Sequence, residues 1–147
     1  MISNKDNIDL RFQNINDEEL LLLLKIKFPE LKTLDLSHNY IVYLELISKI
    51  DAPKLKKLDL TFNNINNIKS LVKISKSFPE MESLALNDNN IKLEEIRCLK
   101  KNIKNLFPKL NSISIHKDID EIINKLNIGN NNEYENINIL ILYILAT

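Results

Sequence analysis

Apolar residues return along this chain in a fixed frame. Leu31, Leu34, Leu36 and Ile41 stand at the same relative offsets as Leu55, Leu58, Leu60 and Ile65, and again as Met81, Leu84, Leu86 and Ile91. In every case an asparagine sits two residues before the last member: Asn39, Asn63 and Asn89. A degenerate copy precedes them with Ile8, Leu10, Gln13 and Ile15, and another follows with Leu110, Ile113, Ile115 and Asp118. The asparagine slot thus falls at 13, 39, 63, 89 and 118, in steps of 26, 24, 26 and 29 residues. A period in this range marks an array of stacked supersecondary units. The copies lie near residues 5–15, 31–41, 55–65, 81–91 and 110–119.

The prolines set the register independently. Phe28-Pro29, Ala52-Pro53, Phe78-Pro79 and Phe107-Pro108 each place proline two residues before the first apolar position of a copy. Proline cannot continue a helix and biases its predecessor toward extended backbone. Each step is therefore expected to end a helix and feed a strand, with the phenylalanine of three of them wedged between neighbouring turns. Every copy reads as a short strand, an asparagine turn, a helix and a return. Helices are expected over about 17–27, 42–50, 68–77 and 93–106. Asn16-Asp17-Glu18-Glu19 supplies a cap and first-turn acids for the first of them.

The asparagines have a physical task in such an array. A carboxamide held inside the turn accepts from one backbone amide and donates to a neighbouring carbonyl, satisfying groups that strand and helix leave unpaired. Asn39, Asn63 and Asn89 form this expected ladder. No single turn buries its own apolar face, so stability comes from stacking, and the ends need caps. The degenerate copy from Asn7 to Ile15, with the polar stretch from Met1 to Asp6, is expected to cap the front. Ile119, Ile122, Ile123 and Leu126 share one helical stripe, which predicts a capping helix over 118–126. The repeat domain then spans 1–128, followed by a polar linker at 129–136 and an apolar tail at 137–147. That tail reads as an element packed on the last turn, a partner-binding or oligomerisation segment, or the mark of a shortened longer chain.

Composition narrows the function. The formal net charge over 147 residues is zero, which argues against a general polyanion binder. One cysteine, Cys98, permits no internal disulfide and fits a reducing compartment. The N-terminus lacks signal-peptide organisation, and the longest apolar runs, 20–24 and 139–146, are too short to span a bilayer. A single glycine, Gly129, argues against glycine-rich phosphate loops. The expectation is an intracellular protein, in nucleus or cytoplasm, with no membrane association.

Catalytic and metal chemistry finds little support. His38 and His116 belong to different copies, and His38 has no cysteine or second histidine at ligand spacing. Cys98, among Ile96, Leu99 and Ile103, is expected to be a small buried group. The pairs Glu18-Glu19 and Glu94-Glu95 point their members in different directions on helices. No nucleotide-binding or nucleophile-elbow motif occurs. The expectation is a non-enzyme without cofactor, metal or small-molecule substrate.

What remains is surface. Parallel stacking would align the variable positions in columns: Asp9, Asp35, Asp59, Ala85, Ser114; then Arg11, Ser37, Thr61, Asn87, His116; then Phe12, His38, Phe62, Asp88, Lys117. Phe12 and Phe62 are the two of five phenylalanines not committed to Phe-Pro steps. With Asp35, His38 and Asp59 they make a candidate protein-binding patch for a basic partner, the bland alternative being packing on sheet neighbours. A second patch follows from charge order. Arg97, Lys100, Lys101, Lys104, Lys109 and Lys117 occupy a stretch without acids, and Lys54, Lys56 and Lys57 form a smaller group. These are candidate RNA phosphate contacts, or else a solvated helix flank. No aromatic RNA-recognition motif accompanies them.

The repeats resemble leucine-rich repeats, with three near-consensus and two degenerate copies of L-x-x-L-x-L-x-x-N-x-I. The resemblance implies an α/β fold: a solenoid of about four to five turns, with a short parallel sheet on the concave face and helices on the convex face. The nearest likeness is to the leucine-rich domain of nuclear mRNA export factors (the TAP-like family). It rests on Phe28-Pro29-Glu30-Leu31, on Ala52-Pro53-Lys54-Leu55-Lys56-Lys57-Leu58-Asp59-Leu60, and on Ile103-Lys104-Asn105-Leu106-Phe107-Pro108-Lys109-Leu110. By likeness this implies a nuclear module for mRNA transport that helps bind RNA and export adaptors. The chain departs from that family. It lacks room for the RNA-recognition domain before the repeats and the transport-factor-like domain after them. Its last copy ends Ile115-His116-Lys117-Asp118 rather than leucine-aspartate-glycine. A reduced or fragmentary relative is what the likeness allows. Small nuclear repeat proteins of the splicing and acidic-phosphoprotein type are also similar, but the acidic tail of the latter is missing. The alternative function is a general protein-recognition scaffold that binds its partner on the concave face.

Overall fold

A computed structural model of the chain describes residues 2–115. They lie in one compact unit that ends at Ile115. The capping helix, the linker, the tail and the domain boundary expected at 128 lie outside the described residues, as do His116, Lys117 and Asp118.

The architecture is α/β. After a short 3-10 turn at Ile2–Asn4, strands and helices alternate: β1 (Asn7–Asp9), α1 (Asp17–Leu23), β2 (Thr33–Asp35), α2 (Leu44–Ile47), β3 (Lys57–Asp59), α3 (Leu71–Ser77), β4 (Ser83–Ala85), α4 (Leu93–Leu106) and β5 (Ser112–Ser114). The five strands form one parallel sheet in chain order, β1-β2-β3-β4-β5. Ile8, Leu34, Leu58, Leu84 and Ile113 stand in register across it. Side chains alternate along a strand, so these central residues point inward while their flanking neighbours line the other face.

One apolar core joins strands and helices. Leu31, Leu55, Met81 and Leu110 are buried, as are Leu36, Leu60, Leu86 and Ile115. The helices contribute Leu20, Leu44, Ile47, Leu71, Ile74, Ile96, Leu99 and Ile103. Complete burial of one such side chain stabilises by about 1.5–3 kcal/mol. Phe28, Phe78 and Phe107 are among the largest fully buried side chains. Ala52 takes the equivalent place in the second return.

The prolines act through a turn. Leu31, Leu55, Met81 and Leu110 each donate an amide hydrogen bond to the residue before proline, Phe28, Ala52, Phe78 or Phe107. Proline therefore holds the second position of a four-residue turn, where its fixed φ is favourable. α3 and α4 end directly before such a step; α1 and α2 stop earlier.

Three helices are shorter than expected. After α1 the amides of Lys25 and Ile26 bond to Leu22 and Leu23. After α2 those of Ser48, Lys49 and Ile50 bond to Glu45, Leu46 and Ile47. These i→i−3 bonds tighten the chain into turns rather than prolonging an α-helix. Before α3 the Asn67 side chain accepts from the Lys69 amide, a local turn that delays the helix to Leu71. α1 begins on a full capping box. Asn16 Oδ1 accepts from Glu18 N (2.8 Å) and Glu19 N (3.0 Å), and Glu19 Oε2 accepts from Asn16 N (2.9 Å).

Candidate functional site

The hydrogen-bond pattern of one copy is repeated in the next. Lys32 N and Thr33 N share the Asp6 carbonyl, Lys56 N and Lys57 N share that of Lys32, and Glu82 N and Ser83 N share that of Lys56. Beyond the strands, Leu10 N donates to Asp35 O, Leu36 N to Asp59 O and Leu60 N to Ala85 O. The ladder thus carries the backbone in register past each strand, towards the asparagines.

Asn39, Asn63 and Asn89 are buried. Asn63 Oδ1 accepts from Ile41 N of the preceding copy at 3.0 Å, and Asn89 Oδ1 accepts from Ile65 N at 2.9 Å. Asn63 Nδ2 donates to the Leu36 and Leu60 carbonyls at 3.0 and 3.1 Å. Asn89 Nδ2 likewise reaches Leu60 and Leu86. Asn39 Oδ1 takes both Gln13 N and Ile15 N, at 3.1 and 2.9 Å, and its amide group reaches Leu10 and Leu36. Each carboxamide therefore fastens its own turn to the one before. Gln13, in the first slot, is exposed and turns its amide group back to the Arg11 carbonyl. Among the described residues no copy precedes it.

The residue before each slot has an unusual backbone. Phe12, His38, Phe62 and Asp88 have φ of 55°, 55°, 52° and 54°. This left-handed region disfavours residues with a Cβ by about 1–2 kcal/mol. The chain passes through it to turn the following side chain inward at 39, 63 and 89. The same geometry lifts the side chains at 12, 38, 62 and 88 to the surface in one line. Phe12 and His38 stack with ring centroids 4.2 Å apart, and His38 and Phe62 with centroids 4.5 Å apart. The interplanar angles are 21° and 19°. Stacking leaves much of the rings in water: Phe12 is 66% and Phe62 49% exposed.

The expected aspartate column is present in register: Asp9, Asp35 and Asp59, then Ala85 and Ser114. These carboxylates have a local structural role. Oδ1 of Asp9, Asp35 and Asp59 accepts the amide two residues on, from Arg11 (3.1 Å), Ser37 (2.9 Å) and Thr61 (2.9 Å). Arg11 also reaches back across the column. Its guanidinium lies 2.6 Å from Asp9 Oδ2 and its Nε 3.5 Å from Asp35 Oδ2. The hydrogen bonds from Arg11 lower the Asp9 pKa from 3.8 to about 2, and Asp9 in turn raises that of Arg11. One end of the acidic column is thus neutralised from within, with Arg11 beside both Asp9 and Asp35, while Asp59 makes no ion pair among the described residues. Arg11 was legible as a column member but not as this internal counter-ion.

The cationic candidates separate. Arg97, Lys100, Lys101 and Lys104 are exposed on α4. Lys104 Nζ donates to the Leu110 carbonyl, and Lys109 Nζ pairs with Glu80 at 2.8 Å. That pair lowers the Glu80 pKa, first through its hydrogen bond. Lys54 pairs with Glu30 at 3.0 Å and Lys56 with Glu82 at 3.2 Å. The acid-free stretch in sequence is therefore not acid-free in space. Lys109 finds its acid, Glu80, in the neighbouring copy at a position the proline register already aligned, and Lys54 of the smaller group finds Glu30 in the same way.

Cys98 is corrected as well: it is exposed. The buried stripe of α4 is Ile96, Leu99 and Ile103, and residue 98 turns onto its flank. Among the described residues no group of His, Cys, Asp and Glu is arranged to hold a metal ion, and no helix is long and apolar enough to cross a membrane. No protein-family model matches the chain, and no curated protein matches it either.

Proposed function

We propose that the chain is a leucine-rich repeat solenoid acting as a non-catalytic protein-binding module. Its partner docks on the concave sheet face at Phe12, His38 and Phe62, with Asp35 and Asp59 beside them. The five in-register parallel strands and the repeated asparagine contacts support the solenoid reading. The stacked, exposed rings carry the functional one. Solvated aromatic surface is expensive to leave uncovered, and pre-stacked rings offer contact area whose ordering cost is already met by the fold. The single cysteine fits a reducing intracellular compartment, nucleus or cytoplasm.

A second reading keeps the likeness to mRNA export factors, with RNA phosphates on the α4 flank. The exposure of Arg97, Lys100 and Lys101 favours it. It has less support, because Lys104 and Lys109 are engaged within the protein.

The test is affinity capture from the source cells, with and without nuclease. Three baits are compared: the parent chain, a Phe12→Ala/Phe62→Ala variant, and a Lys100→Glu/Lys101→Glu/Lys104→Glu variant. The protein-docking reading expects a partner that survives nuclease and charge reversal but is lost from the aromatic variant. Loss on nuclease and charge reversal, with retention on the aromatic variant, would replace it with the RNA reading.

A further inference from the structure

The ring stack stops after three members. Phe12, His38 and Phe62 follow one another in one line, and the fourth position of that line is Asp88. His38 covers one face of Phe62. The opposite face looks toward the copy that carries Asp88. Asp88 is exposed and makes no hydrogen bond or ion pair among the described residues. Asp59, in the strand before Phe62, uses Oδ1 to hold the Thr61 amide, and its second oxygen takes no hydrogen bond among the described residues. An aromatic face thus ends where the next position of the line is a carboxylate, with a second carboxylate, Asp59, on the strand that leads to Phe62; a further planar group there would continue the stack.

The same sheet face shows which planar group suits it. Arg11 lays its guanidinium across the carboxylates of neighbouring strands, Asp9 at 2.6 Å and Asp35 at 3.5 Å. Adjacent strands lie about 4.8 Å apart, a span that a guanidinium bridges with separate N–H donors held in one plane, while the face of that plane stays free to stack; an ammonium has no such face. At the corresponding position two strands on, the chain has the smaller Thr61, and supplies no guanidinium of its own. The charge of the face agrees. Asp9, Asp35, Asp59 and Asp88 stand against Arg11 and Lys57.

We infer that the partner of this face is an arginine-bearing peptide segment, one guanidinium of which stacks on the open face of Phe62 and pairs with Asp59 and Asp88. This rests on the protein-docking reading above and gives it a chemical class. Arginine is selected over lysine because it stacks and forks at once.

The experiment is selection from a random-peptide display library on the full-length chain, each recovered peptide being re-tested on Phe62→Ala and Asp88→Asn. Asparagine tolerates positive φ, so Asp88→Asn leaves the fold undisturbed. Peptides that depend on Phe62 should be enriched in arginine. Their affinity should fall about fivefold in Phe62→Ala, about threefold in Asp88→Asn, and comparably when the key arginine is changed to lysine. Peptides that depend on Phe62 but lack arginine, or bind Asp88→Asn equally well, overturn the arginine inference and leave the docking face standing. Failure to recover any peptide that depends on Phe62 overturns both.

Discussion

His38 lies face to face with Phe62, their ring centroids 4.5 Å apart, and both residues hold a left-handed backbone. The two facts are linked, because the left-handed turn that buries the following asparagine also brings successive side chains into line. The stack offsets part of the backbone cost. It follows that the usual ranking of small residues should invert at position 62. Phe62→Ala loses the ring and keeps the Cβ penalty. Phe62→Gly loses the ring but relieves that penalty. Urea denaturation should find the glycine variant more stable than the alanine variant by about 0.5–1 kcal/mol.

Removal of a rung should be costly. Asn39→Ala, Asn63→Ala and Asn89→Ala each leave buried backbone groups without partners and are expected to cost about 1–3 kcal/mol in equilibrium unfolding. Asn63→Asp should cost more than Asn63→Ala, because it turns the group facing the Leu36 and Leu60 carbonyls from a donor into a charged acceptor. Wild-type stability in all three alanine variants would contradict the structural role given to these residues.

Asp9 offers a pH test with a definite sign. Its folded pKa is about 2, below the ordinary 3.8, because Arg11 bonds to its charged form. The pairing therefore favours the folded state at pH above about 4, and the benefit is lost as pH falls through about 2. Carbon-detected NMR titration should show the Asp9 carboxyl midpoint well below that of an unpaired aspartate. Arg11→Ala should move it back toward 3.8.

The RNA reading makes a quantitative demand. Contacts to single-stranded phosphates give a slope of log affinity against log salt of about −0.7 per phosphate. With Lys104 and Lys109 engaged internally, fluorescence anisotropy on a single-stranded RNA should show weak binding and a shallow slope. A steep slope, abolished by Lys100→Glu/Lys101→Glu/Lys104→Glu, would restore the cationic flank as the functional surface.

Much of this arrangement was legible in the sequence. The spacing of Asp9, Asp35 and Asp59 gave the column that the strands align, and the asparagine spacing gave positions that prove to be buried. The helix ends were less legible. The apolar period that marks an α-helix also suits the tighter turns at 24–26 and 48–50, and only hydrogen bonding separates the two. The left-handed turns were hidden because they fall on Phe12, His38, Phe62 and Asp88 rather than on glycine, and a bulky residue such as phenylalanine seldom adopts positive φ. The pairing of Lys54 with Glu30 and of Lys109 with Glu80 was hidden by distance along the chain, although both follow a proline.

The central claim is that neighbouring copies share one interior fastened by the asparagine side chains, since the ring stack and the acidic column exist only if that register holds. Amide hydrogen exchange of Ile41 in the parent chain and in Asn63→Ala tests it most directly, because Asn63 Oδ1 accepts that amide across the copies at 3.0 Å. The account predicts strong protection of Ile41 in the parent and its selective loss in the variant, with Leu58 and Leu84 of the strands still protected. Unprotected Ile41 in the parent, or equal protection in both proteins, would contradict it.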